Sequence, residues 1–341
     1  MADTALRIAC VQLEPVFKNP AKSIKRADEL LQPLERGSVD FLVLPEMAFT
    51  GYCFTSREDI APWIEEVPAG RTSKWAMKTA RRLGCYVQVG VPTLAPLSRP
   101  EQELASHDAP TVDDLYYNSV LLVNPQGKIE TVYHKHFLFE TDQTWATPGD
   151  AFVTRDLAFP AGGQGGGDGR ATFRWAPAIC MDLNAEAFDA SLERLEFSNF
   201  VRRERVDLVV ASNAWLDAEA GSPATVATTA ATADPATDDG EEAAHVREGL
   251  DQEKEADGRG GAASWDEVRG LIGYWVYRMS TNLEDPAVGF VVCNRIGCEG
   301  DVVFAGSSCV IELGDRPTVV KHSSKNKEEL LVSQIRLPLR D

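Results

Sequence analysis

Phe41-Leu42-Val43-Leu44-Pro45-Glu46-Met47 is an apolar run cut short by a proline and a carboxylate. A few apolar residues bounded by a turn former have the length and composition of a strand. Residues 20–36 before it read as a helix, and residues 70–84 after it, beginning behind Pro68-Ala69-Gly70, read as another. The alternation continues in both directions. Strand-like runs fall at 6–13, 39–44, 85–91, 119–124, 129–133, 173–179, 206–212, 287–294 and 301–313. Further helices fall at 189–205, with Leu192, Leu195, Phe197 and Val201 on one side, and at 265–281. Strands interleaved with helices in this way predict an α/β protein. At 341 residues, with 44 % apolar content and 14 phenylalanines, the chain has the material for a sizeable core, as one large domain or two ordinary ones.

One segment departs from the pattern. Residues 217–263 consist largely of Ala, Thr, Asp, Glu and Gly, with Val226, Val246 and Leu250 the only aliphatics larger than alanine. Such a composition cannot offset about 1–2 kcal/mol of ordering cost per residue, so an acidic, disordered insertion is expected. It reads either as a tolerated surface-loop expansion, the reading favoured here, or as a lid or partner-binding tail. From Asp217 to Glu267 there are 14 acids against three bases, a net of −11 out of the chain's −18. That balance argues against a nucleic-acid or anionic-membrane partner. The glycine-rich run at 162–169 lacks the Lys-Ser/Thr ending of a phosphate loop and reads as a hairpin loop between two strands. Seven scattered cysteines suit a reducing compartment without a disulfide framework. Cys293 and Cys298 lack a second ligand pair, so both read as buried structural thiols rather than half of a metal site. With no apolar leader and no membrane-length run, the chain reads as intracellular, soluble and cytoplasmic.

Three islands carry chemistry: Pro45-Glu46-Met47, His134-Lys135-His136 and Ile179-Cys180-Met181-Asp182. A thiol attacks an amide carbon as thiolate, so Cys180 needs a base, and Glu46 at a strand end can be one. Attack puts charge on the carbonyl oxygen, which the Lys135 ammonium and the Met181 backbone N–H can receive. Lys135 nearby should depress the Cys180 pKa. A Cys-His pair is the alternative, but alternation along an extended segment turns His134 and His136 to the face opposite Lys135.

These islands, in order, resemble the nitrilase or carbon–nitrogen hydrolase superfamily nearly from end to end. The match includes residues 6–13, Leu42-Val43-Leu44-Pro45-Glu46, Thr50-Gly51-Tyr52, Tyr116 with Asn118-Ser119, Asn213-Ala214-Trp215, Asn294-Arg295-Ile296-Gly297 and 304–308. Within it, Phe137-Leu138-Phe139-Glu140-Thr141-Asp142, Ile179-Cys180-Met181-Asp182-Leu183 and Ala214-Trp215-Leu216 look most like fungal-type protein N-terminal amidases. The resemblance implies one hydrolase domain over residues 1–341, folded as an α-β-β-α sandwich. It implies a cofactor-free, metal-free Cys-Glu-Lys site that converts N-terminal Asn or Gln to the acid through a thioester and releases ammonia. The product would be a degradation signal, which makes ubiquitin-pathway components candidate partners.

The resemblance also suggests a supporting acid near Lys135, and Glu140 is taken ahead of Asp142; the alternative is a solvated loop acid. Asp182 is read as the partner of the substrate α-ammonium or, alternatively, as a helix N-cap. Trp145, Asn213 and Trp215 are read as pocket walls. A small-molecule ω-amidase, carbamoylase or aliphatic amidase would share the triad. Asp182, and the lack of a carboxylate-binding arginine after Cys180, favour a cationic substrate end unless Arg278 or Arg295 supplies one. A non-catalytic binding protein using the acidic insertion is the reading from another class, and the filled triad speaks against it.

Overall fold

The computed structural model describes residues 3–96, 114–160, 171–186, 193–218, 265–284, 287–338 and 340. The insertion expected at 217–263 and the glycine-rich run fall almost wholly outside them. Strand β1 (Asp3–Gln12) leads into helix α1 (Pro20–Leu30), then β2 (Phe41–Val43), the short α2 (Arg57–Ile60), α3 (Arg71–Leu83) and β3 (Tyr86–Pro96). β4 (Asp114–Val123), β5 (Ile129–His134) and the short α4 (Glu140–Gln143) complete the first half. The second half runs β6 (Arg155–Ala158), β7 (Thr172–Ile179), α5 (Glu196–Arg203), β8 (Leu208–Asn213), α6 (Trp265–Arg278) and β9 (Val288–Asn294). A small hairpin, β10 (Cys298–Glu299) with β11 (Val302–Val303), precedes β12 (Cys309–Leu313), β13 (Thr318–His322) and β14 (Glu329–Pro338).

The long strands form two six-stranded sheets, β14-β1-β2-β3-β4-β5 and β13-β12-β9-β8-β7-β6. Alternation along each strand sorts its side chains between two cores. From β1, Leu6, Ile8 and Cys10 meet Phe173, Trp175, Leu208, Val210 and Val291 between the sheets. Ala9, Val11 and Leu13 face the other way, onto Ala27 and Leu31 near α1 and Trp75, Ala76 and Leu83 of α3. On the far sheet, Ala176, Val209, Ala211 and Val292 pack on Phe197 and Val201 of α5 and on Ile272, Trp275 and Val276 of α6. Helix, sheet, sheet and helix therefore form four layers, the expected sandwich.

Polar stitches fix how one sheet sits on the other. Gln88 of β3 donates to Val210 O at 3.1 Å and Ser212 Oγ at 3.0 Å. Trp175 Nε1 donates to Gln88 Oε1 at 3.2 Å, and Ser212 Oγ donates to Leu44 O at 2.8 Å. These bonds gather just past the end of β2, at Leu44, two residues before Glu46.

Several sequence expectations change. The first helix ends at Leu30 rather than 36, because Pro33 lacks an N–H and its ring disfavours helix in the turn before it. The run 301–313 divides into β11 and β12. Cys293 is buried as expected, but Cys298 is exposed. Gly297, at φ 90°, turns the chain into the β10–β11 hairpin, where Glu299 points inward and Cys298 outward. β6, β13 and β14 were not anticipated; β14 pairs with β1 along its whole length, from Asp3↔Pro338 to Gln12↔Glu329. No helix among the described residues is long and apolar enough to cross a membrane.

Candidate active site

The three chemical islands meet where the C-terminal ends of β2 and β7 approach the end of β5. Glu46 lies three residues past β2, in a turn pressed against β3: Gly90 N donates to Pro45 O at 3.2 Å and Ala48 N to Gly90 O at 3.1 Å. A Cβ on Gly90 would stand 2.4 Å from Pro45 O and 2.6 Å from Glu46 Cα, so this close approach requires glycine. Lys135 follows β5 directly, with its N–H on Asn118 O at 2.8 Å. Its ammonium donates to Glu46 Oε1 at 2.7 Å and to Asp142 Oδ2 at 2.5 Å. Asn118 Nδ2 joins the same two carboxylates, at 2.6 Å to Glu46 and 3.0 Å to Asp142. Asn118, Glu46, Lys135 and Asp142 are all 0 % exposed. Buried charges survive only when paired and hydrogen-bonded, and here each has at least two partners.

Cys180 begins the 3-10 turn Cys180–Leu183 at the end of β7, in a left-handed conformation at φ 42°. That geometry is uncommon for a residue with a side chain and needs outside support. Asn213, at the end of β8, accepts the Cys180 N–H on Oδ1 at 3.0 Å. The next residue, Ala214, donates its N–H to Glu46 Oε2 at 2.8 Å. Two consecutive residues thus hold the backbone of Cys180 and the carboxylate of Glu46. Asn213 was expected to wall the pocket; its resolved contact is instead with Cys180.

Burial raises the pKa of the Cys180 thiol well above its ordinary value; Glu46 adds to this and Lys135 opposes it. The expected depression is therefore reversed: burial favours the neutral thiol. Burial also raises Glu46, against the pull of Lys135. A carboxylate so raised is a better proton acceptor near neutrality. Burial alone would lower Lys135, but Asp142 and Glu46 outweigh it and hold the ammonium above the ordinary lysine value.

Cys180 opens into a small pocket walled by Tyr52, Phe139, Met181, Ala214, Trp215 and Leu216, with Asn184 at one side. Trp215 lines this space as expected. Trp145 packs in the same apolar cluster as Tyr52, Phe139 and Met181 but stands behind the lining. Met181 is the second residue of the turn, where an N–H has no partner within the turn.

Two assignments are corrected. The acid on Lys135 is Asp142, whereas Glu140 is exposed. Asp142 is the third residue of α4, where a side chain reaches back to the helix start; its Oδ2 also accepts Phe139 N–H at 3.0 Å. Asp182 is 0 % exposed and committed to the fold. It accepts from Tyr133 OH at 2.8 Å, His136 N at 3.0 Å, Phe137 N at 2.9 Å and Ile179 N at 2.8 Å. These four donors occupy both oxygens, so Asp182 ties the Lys135 segment to the Cys180 turn rather than facing a substrate. The histidines also stay apart from the thiol. His134 Nδ1 lies 2.8 Å from Ser119 Oγ, and His136 Nδ1 lies 2.6 Å from Gly149 O. Arg278 and Arg295 are buried on other partners, Leu183 O and Glu299. No group of three or more metal-ligating side chains occurs among the described residues.

A cysteine, a buried carboxylate and an ammonium at the junction of two stacked sheets are the groups that a cysteine amide hydrolase needs. The chain belongs to the carbon-nitrogen hydrolase family, whose profile matches residues 7–187. It is 29 % identical to the protein N-terminal amidase of Schizosaccharomyces pombe over 96 % of this chain and 98 % of that one. The nitrilase of Pyrococcus abyssi is 31 % identical over 45 % of this chain and 52 % of its own. A crystal structure of an N-terminal amidase with an Asn-Glu peptide matches over 98 % of both chains, with a TM-score of 0.72 at 20 % identity. At that identity the match speaks to the fold.

Proposed function

We propose that this chain hydrolyses the side-chain carboxamide of N-terminal Asn or Gln in proteins and peptides, yielding Asp or Glu and ammonia. The observation that carries this reading is the span of the likeness. It covers nearly all of both chains for a protein N-terminal amidase, against 45 % of this chain for a nitrilase and 39 % for the 2-oxoglutaramate amidase of Bacillus subtilis. With Asp182 committed to the fold, the preference for a cationic substrate end no longer rests on that residue.

In the mechanism, Glu46 takes the thiol proton as sulfur bonds to the carboxamide carbon. The Lys135 ammonium and the Met181 N–H receive the developing oxyanion. Collapse breaks the C–N bond, and protonated Glu46 returns its proton to the departing nitrogen, which leaves as ammonia. Glu46 then deprotonates a water that attacks the thioester; the product acid departs and the thiol is restored. An acidic N-terminus is the product a degradation pathway would read, and ubiquitin-pathway partners and a cytoplasmic site of action rest on that chemistry.

Ammonia release from short peptides beginning with Asn or Gln, from their N-acetylated forms and from free glutamine tests the reading, with Cys180→Ala as control. Release confined to free-amino peptides and lost in the variant is expected. Release from free glutamine or simple amides alone would instead assign a small-molecule amidase.

A further inference from the structure

The catalytic groups leave unused a buried ion pair on the opposite flank of the pocket. Arg295, one residue past β9, is 0 % exposed and pairs with Glu299 of β10. Glu299 Oε2 also accepts the backbone N–H groups of Tyr52, at 2.9 Å, and Cys53, at 2.8 Å. The Arg295 guanidinium lies 3.9 Å from the centroid of the Phe304 ring, which meets the Tyr52 ring edge-on at 6.2 Å and 88°. Tyr52 therefore contacts this block twice, through its amide and through its ring. It also lines the pocket beside Cys180, with its ring centroid 5.8 Å from Lys135 Nζ.

The loop leading to Tyr52 is shaped to accept this grip. Gly51 lies at φ +84°, and a Cβ there would meet Glu299 Oε1 at 2.7 Å and Phe17 Cδ2 at 2.5 Å. Arg295 Nε and Nη1 are buried with no hydrogen-bond acceptor among the described residues, so its electrostatic compensation falls on Glu299 and the Phe304 face. A carboxylate carrying both that cation and two loop amides has no freedom to move without moving Tyr52.

We infer that Glu299 and Arg295 are positioning residues that set the Tyr52 wall of the acyl pocket, and thereby how tightly the substrate carboxamide side chain is held against Cys180. The inference rests on the proposed function for its substrate. Glu299→Gln keeps the shape of the side chain, removes the charge and presents an amide NH₂ where an acceptor is needed. In the full-length protein its KM for a Gln-initiated peptide should rise about tenfold while kcat changes less than about threefold. A melting temperature alone would report only structure, so the KM-against-kcat split is the deciding readout. In a Tyr52→Ala background the same substitution should change KM by less than about twofold, because its effect passes through Tyr52. An unchanged KM in folded Glu299→Gln, or a full penalty without Tyr52, would overturn the inference.

If Glu299→Gln does not fold, Phe304→Leu removes the ring contact and keeps the charges, and should raise KM about threefold; an unchanged KM would overturn the inference. If the wild type releases no ammonia from the peptides, the functional reading has failed separately. The wall is then tested by Cys180 alkylation with iodoacetamide against bulkier N-phenyl iodoacetamide. The preference for the small reagent should narrow at least about threefold in Glu299→Gln, or in Phe304→Leu where Glu299→Gln does not fold, and an unchanged preference would overturn the inference.

Discussion

Glu46, Lys135 and Asp142 come from the first sheet and its connections and are fully buried, with the ammonium held at 2.7 and 2.5 Å from the two carboxylates. Cys180 comes from the second sheet, half-buried, on a backbone at φ 42° that a neighbouring strand supports. One side holds its charges ready; the other holds a thiol that burial keeps neutral. Under the proposed mechanism, this difference puts oxyanion stabilisation before substrate arrival and nucleophile activation after it. It also makes the contact between the sheets part of the machinery, since Ala214 and Asn213 of the second sheet grip one partner from each side.

The largest break in this contrast should come from Lys135→Met. It removes the oxyanion charge and leaves two buried carboxylates facing each other. The expected loss is about 10²–10³-fold in kcat together with about 3–5 kcal/mol of stability, measured by ammonia release and by denaturant unfolding. Lost activity at unchanged stability would show that the ammonium does not hold the charged half together. Asp182→Asn should come next, because it loosens the tie between Lys135 and Cys180. It should lower kcat about 10- to 100-fold, or about 1.4–2.7 kcal/mol, with KM within about twofold. A large rise in KM at unchanged kcat would return Asp182 to the substrate. The smallest signal concerns the thiol itself. With its pKa raised above the reference value of 9.0, Cys180 should be less than about 1 % thiolate at pH 7. The thiolate absorbance difference between wild type and Cys180→Ser should be flat through neutrality and appear only at strongly alkaline pH. A difference already present at pH 7 would make the thiol as preformed as the ammonium.

Much of this was legible in the sequence because Glu46 and Cys180 each come soon after an apolar strand, where a polar residue stands out, while Lys135, after the mixed strand Ile129–His134, was picked out by its place in the order of the islands. The four-layer arrangement followed from the resemblance, and the strand and helix periods agreed with it. What failed depended on contacts between distant segments. Asp182 looked like a substrate ligand from its place two residues after the nucleophile, but its donors Phe137 N and His136 N arrive from 45 and 46 residues earlier. Glu140 was preferred to Asp142 because the resemblance suggested an additional glutamate, and a helix of four residues leaves too little periodic signal to reveal the capping geometry that turns Asp142 inward. The thiol was expected to be acidified by Lys135 because sequence reveals neighbours but not desolvation, the larger influence here. β14 was missed although Leu331, Ile335 and Leu337 face the core; its intervening Ser, Gln and Arg residues dilute the apolar pattern on which strand recognition relied.

The bare backbone at Gly90 matters for how relatives of this chain are judged. Because the Glu46 turn lies against that residue with no room for a Cβ, a side chain there would displace Glu46 while leaving every letter of the proposed triad in place. A relative with glutamate, lysine and cysteine intact but any other amino acid at this position would pass an inventory of signature residues with its glutamate turn displaced, so an absent methyl group belongs in the signature as much as the reactive groups do.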